Sequence, residues 1–151
     1  MLSALLQSNY LEAQATTRDP DAPAQFIAGW HYGIAHEKER DDLSCFVAND
    51  DLTNTLYDAM EAFIAGNHAE GDAKMAATVP LYKEALSGCG RLATLIGKWA
   101  QRIDEMKERQ DWQQILKEIY NANKDLIDRD TDLELKEWEQ KDFFNSGMFA
   151  G

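Results

Sequence analysis

The stretch DRDTDLELKEWE, Asp128 to Glu139, carries the sharpest chemical pattern in the chain. Asp128, Asp130 and Asp132 stand at the first, third and fifth positions of a calcium-binding loop, Leu135 at its apolar eighth, and Glu139 at the twelfth, where a bidentate carboxylate belongs. Those four acids would supply the hard oxygen ligands that calcium prefers. Against this, Leu133 occupies the sixth position, where glycine permits the sharp turn, and no second loop pairs with the first. The competing reading makes Asp130 or Thr131 the cap of the last helix, with Glu134 completing a T-x-x-E capping box.

The three histidines, His31, His36 and His68, lack the i,i+4 spacing that presents two ligands together, so zinc would need His31, His68 and an acid such as Glu37 to converge. The two cysteines, Cys45 and Cys89, form neither a C-x-x-C pair nor a zinc pattern with a histidine. Both sit beside turn residues, in DDLSC and LSGCG, which leaves one disulfide or two buried thiols open. No G-x-S-x-G, phosphate-binding glycine loop or catalytic cysteine signature is present. The sequence therefore points away from an enzyme and calls for no cofactor.

Helical periodicity runs through the elements that must hold these groups, and no segment alternates as a strand would, so the expected fold is all-α, a compact antiparallel bundle of about six or seven helices. A first helix is expected over Leu2 to about Ala15, followed by the linker TTRDPDAP, which divides the chain into residues 1–22 and a bundle domain over 23–151. A second helix begins near Pro23 and runs to HEKERDD, and a third follows ANDD with Leu52, Leu56, Met60, Phe63 and Ile64 on one face. A fourth, from about Asp72, is expected to bend at Pro80 and to end around Gly88 and Gly90. Leu92, Leu95, Ile96, Trp99 and Ile103 mark a fifth, and Trp112, Ile115, Leu116, Ile119 and Tyr120 a sixth. The last is expected after DRDTD, carrying Leu135, Trp138 and Phe143 into FFNSGMFAG. The four tryptophans fall on apolar stripes and read as core.

Glycine inside a helix costs about 1 kcal/mol relative to alanine, so Gly29 and Gly33 need a compensating gain. Four residues apart, they form a groove for a second backbone. The tail repeats the pattern: FIAGWHYG (Phe26 to Gly33) and FNSGMFAG (Phe144 to Gly151) share F-x-x-G-x-x-x-G, so the two segments are expected to cross at Gly29, Gly33, Gly147 and Gly151. A partial copy, FIAGNH at Phe63 to His68, places Gly66 near a helix end as a cap.

The order F-x-x-G-x-x-x-G-I, one cysteine, further helices, a second cysteine and a terminal F-x-x-G-x-x-x-G resembles small secreted two-cysteine helical proteins of ciliates and other protists. That resemblance implies a helical fold and a Cys45 to Cys89 bridge rather than a reaction, and a bridge would favour an extracellular setting. Those proteins usually open with an obvious signal peptide, whereas MLSALLQSNYLEAQA has no basic residue before its short apolar stretch.

Twenty-seven acidic against fifteen basic residues give a formal charge of −12, which repels phosphate backbones and anionic membrane surfaces. Neither nucleic acid nor membrane insertion is expected as a partner. The reading that follows is a structural or self-assembling protein, a homo-oligomer or filament in which the apolar Leu2, Leu5, Leu6 and Tyr10 reach a neighbouring copy. The alternatives are a ligand- or calcium-binding helical module using an inter-helix cavity or the Asp128 to Glu139 segment, and an accessory subunit of a larger complex.

Overall fold

The computed structural model describes residues 18–35 and 43–150, within which the chain forms seven helices and no strand. These are α1 (Ala22–Ala35), α2 (Asp50–Ile64), α3 (His68–Ala85), α4 (Arg91–Glu108), α5 (Trp112–Ala122), α6 (Lys124–Glu139) and α7 (Phe143–Ala150). Leu2, Leu5, Leu6 and Tyr10 of the assembly reading, Glu37 of the zinc reading and Gly151 lie outside the described residues.

Local chemistry sets most boundaries. Asn49 starts α2, its Oδ1 accepting from the Asp51 and Leu52 amides at 2.8 and 3.4 Å, and Asp50 and Asp51 complement the positive end of the helix. At the other end the Gly66 amide donates to the Phe63 carbonyl and the Asn67 amide to that of Ala62, with Gly66 in the left-handed region at φ 82°. Asn67 then caps α3 at once, accepting from the Glu70 amide at 3.4 Å and donating its own amide to Glu70 Oε2 at 2.8 Å. This reciprocal cap starts α3 at His68, four residues before the expected Asp72, and α3 runs unbroken through Pro80.

The chain breaks elsewhere than DRDTD suggests. Asp128 to Asp132 lie inside α6, which begins at Lys124, so Asp130 and Thr131 cap nothing. The stop comes at Gln140 to Asp142, where Lys141 takes φ 61° and the Asp142 amide reaches back to the Glu137 carbonyl at 2.9 Å, a turn usually given to glycine. Asp142 then caps α7 through the Asn145 amide at 3.1 Å and the Asn145 side chain at 2.7 Å. The tail is thus a separate helix rather than the end of α6.

Two clusters form the core. Ile27, Leu52, Tyr82, Leu86, Leu92 and Ile96 make one, joining α1 through α4; Ala22, Phe26, Leu56, Met60, Trp138 and Phe143 make the other, joining α1, α2, α6 and α7. Ile64, expected on the buried face of α2, is 43% exposed, while Ala59 fills that face instead. Tyr82 donates its buried hydroxyl to the Pro23 carbonyl at 2.8 Å, tying α3 to the start of α1. The linker is partly pinned as well: Arg18 reaches Asp58 at 2.8 Å and Glu61 at 3.2 Å, and lies over the Tyr57 ring. Cys45 and Cys89 form a disulfide that clips the segment before α2 to the α3–α4 turn.

The closest packing is between α1 and α7. A Cβ at Gly29 would stand 1.8 Å from the Phe144 carbonyl oxygen, one at Gly33 2.5 Å from that of Met148, and one at Gly147 1.9 Å from that of Phe26. Backbone lies on backbone, with no side chain between. Gly29→Ala or Gly147→Ala is expected to cost about 3 kcal/mol or to prevent folding, because the opposing atoms belong to main chain that cannot rotate away. Gly97 in α4 has no atom within 4 Å of its added Cβ, so Gly97→Ala should gain about 0.5–1 kcal/mol. Urea denaturation of the three variants measures both signs at once.

Candidate functional site

The helices do not close on one another everywhere. No side chain of α5 is buried, α4 buries only Leu92 and Ile96, and α6 only Trp138. Between this wall and α1 to α3 lies a cleft of about 760 Å³. Its apolar lining comes from Phe26 and Trp30 on α1, Phe63 on α2, Met75 and Val79 on α3, Trp99 and Ile103 on α4, and Ile127 and Leu135 on α6. Trp30 and Trp99 meet edge to face with centroids 5.3 Å apart. Trp99, expected in the core, is 40% exposed because it faces this space.

Polar groups in the lining come from α3 on one wall and from α5 and α6 on the other. Tyr120 donates its hydroxyl to Asp128 Oδ1 at 2.7 Å, and Lys124 binds the other oxygen, so α5 and α6 are clipped together at their exposed ends. Those hydrogen bonds, the Lys124 one first, hold the Asp128 carboxyl below its ordinary value. His68 lines the cleft against the Phe63 ring, with centroids 6.0 Å apart.

Glu134 is the unusual member. It sits one helical turn beyond Asp130 on α6 and lines the cleft. Its backbone carbonyl accepts from the buried Ser146 hydroxyl at 2.9 Å, which fixes this turn of α6 to α7. Its carboxylate receives no hydrogen bond and makes no ion pair among the described residues, and burial pushes it up to about 7. An acid with that value is poised between its charged and neutral forms at physiological pH.

The calcium arrangement is not formed. Because α6 is continuous, Asp128 and Asp130, two residues apart, leave the helix on different sides, and Glu139 lies at its far end rather than closing a loop around Asp128, Asp130 and Asp132. Asp128 is engaged by Lys124 and Tyr120 instead, and Asp130 by Arg129 at 3.2 Å. Among the described residues no three His, Cys, Asp or Glu side chains converge as a metal site. His31 is buried in α1 at 5% exposure, whereas His68 faces the cleft. The apolar stripe of α5, expected to pack inward, leaves Leu116 and Ile119 at 41% and 52% exposed.

The chain matches no protein-family model, no curated protein and no solved structure. Its chemistry is therefore read from the cleft itself. Among the described residues no helix is long and apolar enough to cross a membrane. The inter-helix cavity of the alternative reading carried no lining residues in the sequence, because all seven helices contribute to the cleft, from Phe26 to Ala150; the one local hint was the set of bulky apolar residues on α4 and α5 in excess of what a core uses.

Glu134 ties the site to stability. The Glu134 carboxyl titrates near its ordinary value of 4.5 in the unfolded chain and near 7 in the folded one, so the favourable contribution of the neutral acid is complete below about pH 4.5 and is lost as pH rises through 7. With solvent screening reducing the full shift, Glu134→Gln should be more stable than the parent by about 1–2 kcal/mol at pH 8. The difference should vanish near pH 4.5. Thermal melts of the two proteins across that range check the sign.

Proposed function

We propose that this protein is a non-catalytic binding module for a small, largely apolar molecule held in the inter-helix cleft. The observation that carries this reading is the cleft's size and lining: about 760 Å³, walled by Phe26, Trp30, Phe63 and Trp99, with polar groups contributed only by α3, α5 and α6. That volume lies within the range of small-molecule sites, and such sites combine an apolar body with few orienting polar groups. The disulfide and the resemblance to secreted two-cysteine helical proteins support an oxidising, extracellular setting for it.

A neutral fluorescent probe, N-phenyl-1-naphthylamine, should bind saturably at one site and quench the emission of Trp30 and Trp99. Ala76→Trp, which places a large ring on an exposed lining position, should weaken that binding by about tenfold or more. Absence of saturable binding would contradict the reading.

Self-association is a second reading, supported by the exposed apolar side chains Leu116, Ile119 and Leu126 on α5 and α6. It requires a mass that rises with concentration in light scattering and that Ile119→Glu returns to the monomer value. A monomeric mass at all concentrations would remove it.

A further inference from the structure

We propose that the cleft binds a cationic amphiphile, an apolar body carrying a protonated amine, with the amine beside the Glu134 carboxylate and the body against Trp30, Trp99 and Phe63. This rests on the reading of the cleft as a ligand site and adds the chemistry of the occupant.

The lining selects by charge. It holds the carboxyls of Asp72, Asp128 and Glu134, and among the described residues no lysine or arginine lines it. An anionic headgroup would meet carboxylates with no cation to offset them. A neutral ligand would leave a carboxylate in an apolar wall without a partner, which is costly. Aromatic ring faces, by contrast, attract a cation as well as an alkyl chain, and they make up much of the wall.

The carboxyls are not equivalent. Asp128 is already committed to Lys124 and the Tyr120 hydroxyl, and Asp72 is exposed at the rim. Glu134 alone is both half-buried and without a hydrogen-bond donor among the described residues. The other ionisable groups that line the cleft around it are His68, Asp72 and Tyr82 from α3, Tyr120 from α5 and Asp128 from α6, with Lys124 behind Asp128; the α1, α2, α4 and α7 linings bring none. The two buried hydroxyls of the lining donate elsewhere, Thr78 to the Met75 carbonyl at 2.6 Å and Tyr82 to that of Pro23 at 2.8 Å, and so do not compete with an amine for Glu134. A formal charge of −12 also draws cations toward the molecule, an effect that salt removes while a shielded pair persists.

The test compares three probes with one apolar body, octylamine, 1-octanol and octanoate, by isothermal titration at pH 8 and 0.5 M salt, below their aggregation concentrations. Octylamine should bind about tenfold tighter than octanol, and octanoate weakest. In Glu134→Gln the octylamine preference should disappear while octanol binding is unchanged, which also shows that the variant is folded. Octanol binding as tightly as octylamine, or an amine preference that survives Glu134→Gln, would overturn the inference and leave the cleft reading standing. Binding of none of the three would overturn both.

Discussion

The contact on which the rest of the structure depends is the bare-backbone crossing of α1 and α7. Helices usually pack through interdigitated side chains at 8–10 Å between axes. Here three glycines remove the side chains at the crossing, so that carbonyl oxygens of Phe26, Phe144 and Met148 occupy the positions where Cβ atoms would be. The gain is dispersion between two closely apposed stretches of main chain, set against the helix propensity that the glycines forfeit. An eight-residue helix is too short to be stable alone, so α7 exists because α1 gives it this surface.

From that crossing the other parts take their places. Docked α7 presents Phe143 to Trp138 and Tyr57, and Ser146 to the Glu134 carbonyl, which holds α6 against the α1–α2 pair. With the end of α6 fixed there, its first turns reach out to meet only α5, through Tyr120, Lys124 and Asp128. The cleft is the space that this geometry leaves open.

Local features of the fold are legible in the sequence, and the tertiary ones are not. The glycine spacing of Phe26 to Gly33 and its copy after Phe144 are visible as written, since a helical glycine costs stability wherever it lacks a purpose. The periodicity of α2 and α4 and the punctuation at Gly66 and Gly90 are equally legible. The α6–α7 junction is not, because lysine rather than glycine takes the left-handed position at residue 141 while DRDTD imitates a break inside a helix. The role of Glu134 is hidden for a different reason. One glutamate among twenty-seven acidic residues becomes distinctive only when its neighbours in space, drawn from several helices, are apolar.

Native-state hydrogen exchange tests the central dependence most directly. If the glycine crossing holds the fold together, the amides of Phe26 to Gly33 in α1 and of Gly147 and Met148 in α7 should exchange only through the same global opening, with one shared free energy, while those of α5 open at a lower one. Rapid exchange throughout α7, with α1 to α3 remaining protected, would show that the tail is an appendage and that the fold does not rest on it.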